Sequence, residues 1–328
     1  MAQVPPPIYA GETFLNGPRI EISELTADDL VVIGVPWDKT KLSRRGAAAG
    51  PKGVREATFL FDYYVTELGD NTLVNIDNGQ ELSYISKIKD AGDLELDSFD
   101  TAQMMEFVRK TYRDVGTSGA MPVSLGGDHF TTFPVVWGFT EGVTARTGEK
   151  LGYLHIDLHL DLCGEIPEFG KYSSGSTIRN LFEVGALRSG CAAVIGAEPV
   201  QIKSDIEFAK AQGLEIHSIT KVRRDGPAKV ATMAAEDVLR DSDALYISLD
   251  IDCLNRTYAP GTGNAMGISG LFPSELMDIL RALREFPIRG LDVVEVAPAW
   301  DPTERTQNIA ASALIEVLEP RLFDTKEG

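Results

Sequence analysis

The sequence lacks several features that would point to other classes of protein. Its 328 residues contain only three cysteines, and none of them forms a CxxC pair. This usage excludes a disulfide framework and a zinc ribbon, so we expect a protein of the reducing cytoplasm. The chain opens without a basic, apolar leader, and it contains no run of about 18 apolar residues. We therefore expect neither secretion nor membrane insertion.

Positive charge is also scarce in this sequence. The 31 Lys and Arg residues are outnumbered by 49 Asp and Glu residues, which gives a formal net charge of -18. Such a surface repels phosphate backbones and anionic lipids, so we expect no nucleic-acid or membrane partner. A small cationic molecule fits this charge better, although an acidic balance also serves solubility.

What the sequence does contain is the composition of an ordinary globular protein, with 43% hydrophobic and 24% charged residues. No linker, internal repeat or low-complexity tract interrupts it. We predict one domain over residues 1–328, in which residues 1–28 form an N-terminal extension that packs on the domain or on a neighbouring subunit.

Short apolar runs alternate with longer amphipathic stretches, which indicates repeated βα units and an α/β fold with a mainly parallel sheet. Eight strands are predicted, at Leu30–Val35, Thr72–Ile76, Met121–Leu125, Leu151–Asp157, Ala192–Gly196, Leu214–Ile219, Ala244–Asp250 and Gly290–Val296. The clearest predicted helices are Thr101–Val115, Val200–Gln212, Lys229–Leu239, Ser274–Arg284 and Thr306–Leu318. The segments Arg44–Gly53 and Ala259–Gly270 are interpreted as long functional loops.

Polar side chains gather where three of these strands end, which is the usual place for a site in a parallel sheet. The segments are Ser124-Leu-Gly-Gly-Asp-His-Phe130, His155-Ile-Asp-Leu-His-Leu-Asp161 and Ile247-Ser-Leu-Asp-Ile-Asp252. In the first, the two glycines would let the backbone turn tightly and present Asp128 and His129. This first signal is weak by itself, since Gly-Gly-Asp turns are common.

The second segment is the sharper signal. It alternates polar and apolar residues, so a strand period of two would place His155, Asp157, His159 and Asp161 on one face. It also holds two of the four histidines of the chain. In the third segment the same period places Asp250 and Asp252 together.

So many carboxylates beside imidazoles are unfavourable unless cations neutralise them. Two His and four Asp offer hard oxygen and borderline nitrogen donors, which suit Mn, Ni, Co or Fe better than a structural zinc ion. Four shared carboxylates favour two divalent ions over one.

At these residues the sequence resembles the ureohydrolase family, which includes arginase, agmatinase and the guanidino-acid amidinohydrolases. The resemblance spans nearly the whole chain. It also covers Gly34-Val-Pro-Trp37, Gly46-Ala-Ala-Ala-Gly-Pro51 leading to Arg55-Glu56, Tyr258-Ala-Pro-Gly-Thr-Gly263 and Asp292-Val-Val-Glu-Val-Ala-Pro298. It implies an arginase-like, three-layer α/β/α domain that forms a homotrimer or homohexamer and holds two metal ions, Mn or Ni.

The family pattern carries over residue by residue. It assigns His129 and Asp161 to one metal ion, His159 and Asp252 to the other, and Asp157 and Asp250 as bridges. Asp161 would orient the attacking water and pass its proton to the leaving amine, and Glu295 would accept hydrogen bonds from the guanidinium of the substrate. His155 matches a family histidine that does not bind metal directly, and we expect it, like Asp128, to support the ligands.

Three departures from the family concern the substrate. Ser174 stands where most members have a histidine, Leu158 replaces a small alanine, and Asn255-Arg256 replaces the usual Asp-Pro. We expect Ser174, Asn255 and Arg256 near the substrate. The charge of Arg256 would disfavour the amine tail of agmatine and favour an acidic tail or a compact substrate, unless Arg256 pairs with a surface carboxylate.

The predicted function is hydrolysis of a C–N bond in a compact or unusual guanidino compound, such as guanidine, an alkylguanidine or a biguanide such as metformin. Agmatinase or guanidinobutyrate-type activity is the alternative within the same class. A different alternative is a non-catalytic or partner-dependent subunit of a hetero-oligomer. Retention of all six metal-ligand positions and of Glu295 disfavours a non-catalytic chain.

Overall fold

The computed structural model describes residues 12–41, 43–68, 71–76, 79–84, 88–263 and 269–325. Part of the predicted loop Ala259–Gly270, at positions 264–268, lies outside the described residues. Positions 1–11 of the predicted N-terminal extension do so as well. From residue 12 onwards the extension packs on the sheet, where the backbone N–H of Phe14 donates to Asp90 at 2.8 Å. The role assigned to residues 1–28 stays a prediction.

An eight-stranded sheet forms the centre of the described chain. The described residues form eleven strands, eight of which belong to this sheet. They are β1 (Leu30–Gly34), β2 (Thr72–Val74), β3 (Glu81–Tyr84), β4 (Ile88–Asp93), β5 (Met121–Leu125), β6 (Leu151–Ile156), β7 (Ala192–Ala197), β8 (Glu215–Ser218), β9 (Ala244–Asp250), β10 (Ile288–Val294) and β11 (Phe323–Thr325). The large sheet has the order β4-β1-β5-β10-β9-β6-β7-β8, and its neighbouring strands are parallel. The predicted parallel sheet is confirmed.

Helices cover both faces of this sheet. They are α1 (Gly50–Tyr63), α2 (Thr101–Ser118), α3 (Thr132–Thr147), α4 (Thr177–Glu183), α5 (Lys203–Gln212), α6 (Ile219–Asp225), α7 (Pro227–Leu239), α8 (Pro273–Leu283) and α9 (Arg305–Leu322). Apolar side chains of α1 and α6 to α9 join one buried cluster, and those of α2 to α5 join the other. The three-layer α/β/α architecture is therefore confirmed.

None of the helices in the described part of the chain is both long and apolar enough to cross a membrane.

The central strands are apolar on both faces, as expected for a parallel sheet that helices cover on each side. On β9, Leu245, Ile247 and Leu249 belong to the cluster under α7 and α8, whereas Tyr246 belongs to the cluster under α2 and α3. Ser248 follows Tyr246 with the same period of two, so a polar side chain enters the apolar layer close to the end of the strand.

One predicted strand was assigned to the wrong sheet. Residues Thr72–Val74 form β2, which pairs with β3 in a separate three-stranded antiparallel sheet with β11. The eighth strand of the large sheet is instead β4, Ile88–Asp93. Its sequence, Ile-Lys-Asp-Ala-Gly-Asp, has little local strand propensity, which is why the apolar pattern does not reveal it.

Strand β4 tolerates a buried carboxylate because α1 supplies a partner. Asp90 is fully buried, and Arg55 contacts both of its oxygens, with Nε at 2.8 Å from Oδ2 and Nη2 at 3.0 Å from Oδ1. This fork-to-fork pair ties α1 to the edge of the sheet. The interpretation of Arg44–Gly53 as a loop is wrong at its end, because α1 begins at Gly50.

Helix α3 also escapes the sequence pattern, because it is buried on most of its surface and has no continuous polar face. It crosses α2 at unusually short range. A Cβ atom on Gly138 would lie 2.0 Å from the carbonyl oxygen of Arg109, and one on Gly142 would lie 2.2 Å from that of Arg113. The two helices therefore touch through their backbones, which only glycine allows.

We predict that Asp90→Asn lowers the free energy of unfolding by about 3–5 kcal/mol, because it removes the buried carboxylate that pairs with Arg55 and leaves the guanidinium only the partly exposed Asp93. Asp114→Asn, which breaks the exposed pair with Lys110, is the matched control and should change the stability by less than about 1 kcal/mol. Urea denaturation followed by circular dichroism measures both. Equal losses for the two variants would contradict this account of β4.

Candidate metal centre

Four adjacent strands bring the predicted site residues together. Strands β5, β10, β9 and β6 are neighbours in the sheet and end at the same edge. The three motifs follow β5, β6 and β9, and Glu295 follows β10. Residues far apart in sequence therefore converge, as expected for the carboxyl edge of a parallel sheet.

The two glycines after β5 serve a purpose other than the predicted tight turn. Neither has a positive φ. A Cβ atom on Gly127 would lie 1.7 Å from the carbonyl oxygen of Trp37, so the glycine is required for close approach of two backbones. The N–H of Asp128 donates to that same carbonyl at 2.7 Å. This contact fixes the backbone that carries His129.

The second motif reaches the site by another route than the predicted alternation. Strand β6 ends at Ile156, so only His155 lies on it, and Asp157 begins the loop that follows. Asp161 adopts a left-handed backbone conformation with φ of 46°. Glu295 does the same after β10, with φ of 65°. Non-glycine residues rarely hold this conformation, and it costs about 1–3 kcal/mol at sites where the surrounding structure enforces it.

Three carboxylates surround His129. Its Nδ1 atom lies 2.9 Å from Asp250 Oδ2, 3.0 Å from Asp161 Oδ2 and 3.2 Å from Asp157 Oδ2. All four side chains are buried. The structure thus brings together the four residues that the family resemblance assigns to the first metal ion and to the bridges between the ions.

A second group of donors shares Asp157. His159 Nδ1 lies 3.2 Å from Asp157 Oδ1 and 3.4 Å from Asp252 Oδ1. Asp157 therefore directs Oδ2 to the first group and Oδ1 to the second. The backbone restrains these carboxylates, because Asp157 Oδ1 accepts from the N–H of His159 and Asp250 Oδ1 accepts from the N–H of Asp252, both at 2.8 Å.

Several of these donor atoms have no hydrogen-bond partner among the described residues. They are His129 Nδ1, Asp157 Oδ2, Asp161 Oδ2 and Asp252 Oδ1. Buried polar atoms are normally paired, so atoms that converge without hydrogen-bond geometry need another partner. Carboxylate oxygens and imidazole nitrogens at these separations fit divalent cations, and the donor set suits two.

The electrostatics of the cluster support the same fit. Burial raises the pKa of Asp250 well above its ordinary value, and the charges of Asp252 and Asp157 raise it further. Burial alone would lower the pKa of His129, but Asp161, Asp157 and Asp250 hold it well above its usual range. Without a metal ion, Asp250 and His129 therefore bind protons more strongly than usual, and a metal cation would take the place of those protons.

His155 supports the centre from the strand below it. Its ring stacks on that of His129 with centroids 4.7 Å apart, and its Nε2 lies 2.8 Å from Asp157 Oδ2. The hydroxyl of Tyr153 lies 3.1 Å from its other ring nitrogen. This arrangement fixes the orientation of the His155 ring beside the Asp157 carboxylate.

A buried polar network beneath His129 has no role in the sequence-based prediction. His129 Nε2 lies 3.2 Å from Ser248 Oγ, which donates to Asp292 Oδ1 at 2.7 Å. Asp292 Oδ2 accepts from Tyr246 and Thr132, each at 3.0 Å. Such contacts hold a ligand ring in place. The available signal was Asp292 itself, a carboxylate between Leu291 and Val293 in the apolar part of the strand.

The side chain of Asp128 hydrogen-bonds to the loop that follows β1 and, within the described residues, not to the metal-ligand candidates. Burial raises its pKa to about 8. Its carboxylate accepts from the backbone N–H of Thr40 at 3.0 Å and from the Thr40 hydroxyl at 2.8 Å. Asp128 therefore anchors the loop that follows β1.

Glu295 is buried and forms an ion pair that the sequence did not suggest. Its Oε1 accepts from the backbone N–H of His129 at 2.9 Å, and its Oε2 lies 2.6 Å from Nζ of Lys41. Burial alone would lower the pKa of Lys41, but Glu295, Asp252 and Asp250 raise it above its ordinary value. Lys41 and Glu295 therefore form a buried ion pair at the edge of the metal-binding cluster.

The remaining substrate-contact candidates are Ser174, Asn255 and Arg256. They belong, with the loop that contains Arg44, to the segments around the cluster, which we call the rim of the site. Ser174 is buried, and its N–H donates to the carbonyl of Thr40 at 3.0 Å. The Asn255 carbonyl oxygen of the side chain accepts from the N–H of Thr257 at 2.9 Å, so it stabilises its own turn. Arg256 is half-buried. Burial and the nearby charge of Arg256 both lower the pKa of Arg44, a residue that the sequence-based prediction did not select.

Residues 28–319 match the family described as the Arginase family. A guanidinopropionase of Pseudomonas aeruginosa is 29% identical over 317 residues, which cover 95% of this chain and 92% of that protein. An agmatinase of Neisseria meningitidis is 30% identical over 290 residues, with 88% and 86% covered. The solved structure of proclavaminate amidino hydrolase from Streptomyces clavuligerus is 26% identical, with a TM-score of 0.77 over 94% of this chain and 95% of that one.

These similarities agree with the geometry of the site. Arginase-family enzymes depend on a binuclear metal centre, and the described residues place two His and Asp groups around a shared carboxylate. The chain belongs to the arginase family, and like the other members it is a hydrolase that acts on C–N bonds of amidino groups.

Proposed function

We propose that this chain binds two divalent metal ions and hydrolyses a C–N bond of a compact or unusual guanidino compound. Guanidine, an alkylguanidine and a biguanide such as metformin are the proposed substrates. The observation that carries the metal-dependent part is the pair of donor groups that share Asp157, whose Oδ2 faces His129 in the first group and whose Oδ1 faces His159 in the second.

Six residues would hold the ions. His129 and Asp161 would bind the first, His159 and Asp252 the second, and Asp157 and Asp250 both. When bound, two divalent ions, Mn or Ni, would lower the pKa of water so that it loses a proton near neutral pH.

The protein's own side chains would orient the reactants. Asp161, held by its strained backbone with Oδ2 3.0 Å from His129 Nδ1, would accept the water proton on its other oxygen, Oδ1, and return it to the leaving nitrogen. His155 would keep the Asp157 carboxylate in place. Glu295 would face the amidino group of the substrate from the end of β10.

A guanidino acid is the second candidate substrate, because two arginines lie close together at the rim. Arg44 stacks on Trp300 at 4.3 Å, and Arg256 is near enough to lower its pKa. A carboxylate tail would offset the repulsion between these cations, whereas the amine tail of agmatine would add to it.

We also propose that the chain forms a homo-oligomer, a trimer or a hexamer, because arginase-fold proteins are typically oligomers. A hetero-oligomer with a related subunit is the alternative, and copurification of the expressed chain distinguishes the two.

Metal-stripped protein is expected to take up two Mn or Ni ions per chain. Its melting temperature should rise on loading, because the ions bind the folded state only. His159→Gln should retain one ion or fewer, since it removes a donor of the second group. Elemental analysis after dialysis gives the number of bound ions.

The fourth histidine of the chain provides the matched control. His217 lies on the edge strand β8, with its Nδ1 2.9 Å from Nζ of Lys221. His217→Gln should still bind two ions. If His159→Gln also binds two, the assignment of the second group is wrong.

The activity test uses the pure chain, loaded separately with Mn and with Ni. Release of urea, guanylurea and free amine is measured for arginine, agmatine, guanidinobutyrate, guanidine, methylated guanidines and metformin. We expect turnover of at least one of the compact compounds or guanidinobutyrate, and its abolition by Asp250→Asn. If the chain holds two ions and turns over none of these compounds, the result would favour a partner-dependent subunit instead.

A further inference from the structure

The buried ion pair of Lys41 and Glu295 bears directly on which substrates the site accepts. Lys41 Nζ lies 2.6 Å from Glu295 Oε2, and the two side chains are 7% and 1% exposed. The other oxygen of Glu295 accepts from the N–H of His129 at 2.9 Å. Both oxygens that a guanidinium would contact are therefore already engaged.

The surrounding residues hold Lys41 in this position. Its neighbour Thr40 is fixed by Asp128 through two contacts and by the N–H of Ser174, which donates to the Thr40 carbonyl at 3.0 Å. On the other side, a Cβ atom on Gly263 would lie 2.4 Å from Cε of Lys41. Glycine at this position leaves the space that the lysine stem fills.

Lys41 also completes the charge balance of the site. Two divalent ions would offset the negative charge of Asp157, Asp161, Asp250 and Asp252 as long as the bound water keeps its proton. The ammonium of Lys41 then balances Glu295. A guanidinium on Glu295 would add a cation beside an ammonium ion in a buried site, and like charges so placed repel strongly.

We propose that Lys41 is a specificity-determining residue that neutralises Glu295 and so favours uncharged amidino substrates over guanidinium cations. This inference rests on the proposed function and orders the substrates of that same site: guanidine, alkylguanidines and metformin, which are cations at neutral pH, would bind more weakly than a neutral amidino compound. Without Lys41, Glu295 would be free to anchor a cation.

The chemical class that this favours is an amidino compound with an electron-withdrawing acyl or carbamoyl group on nitrogen. Such a substituent makes the amidino group less basic than guanidine or an alkylguanidine. The neutral form is then present in quantity at neutral pH. Among guanidino compounds that the enzyme accepts, KM should therefore rise with basicity, and arginine and agmatine should be poor substrates.

The test measures binding of guanidinium to the metal-loaded full chain by calorimetric titration. Urea is the matched probe, because it has the same planar shape and no charge. We expect Lys41→Met to bind guanidinium at least about tenfold more tightly than wild type, because a like charge has been removed. Urea should bind the two proteins equally. Guanidinium chloride at sub-denaturing concentration should also raise the melting temperature of Lys41→Met, relative to sodium chloride, and not that of wild type.

Two further variants separate charge from structure. Lys41→Arg keeps the cation and should behave as wild type. The double variant Lys41→Met with Glu295→Gln lacks the anion and should lose the gain. If Lys41→Met does not fold, Lys41→Gln replaces it with a side chain of similar length and no charge.

Equal guanidinium binding by wild type and the uncharged variants, including undetectable binding to both, would overturn the proposal. So would a gain that persists without Glu295. These measurements need no turnover. Failure of the wild type to turn over an N-acylguanidine as well as the guanidinium panel would therefore count against the proposed function alone.

Discussion

The structure of this site depends on one electrostatic constraint, the burial of four aspartates around imidazoles at the ends of the central strands. Such a group is unstable unless cations compensate it. The neighbouring residues prevent the carboxylates and rings from turning to other partners. Stacking of His155 on His129, the contact of Ser248 with His129 Nε2 and the backbone N–H groups that donate to Asp157 and Asp250 restrain these side chains.

The sequence reveals the metal-ligand candidates because their signal is local. Polar residues interrupt apolar strands at their carboxyl ends, and parallel strands bring those ends together. The expected period of two after β6 was wrong, since the strand ends at Ile156 and Asp161 reaches the cluster through a left-handed backbone. The residues still converge, because the short loop after β6 keeps them near the carboxyl end of that strand.

Features that depend on distant partners were not predictable in the same way. From the sequence alone Asp90 is expected at the surface, and only the fold shows that Arg55 of α1 pairs with it. Lys41 reads as a loop lysine, and only the fold shows that Glu295, from the far end of the chain, lies beside it. The glycines of α3 look like helix breakers until α2 is packed against them. Local propensity contains no information about such pairings.

The rim of the site is built from both ends of the chain. Ser43 donates to the carbonyl of Gly263 at 2.6 Å, and Trp300 donates to that of Arg45 at 2.7 Å, across 220 and 255 positions of sequence. During synthesis from the N-terminus, the early loop must therefore wait for strand β10 and the segment after it. The rim closes only once nearly all of the polypeptide has emerged, so this edge of the site is completed late in synthesis.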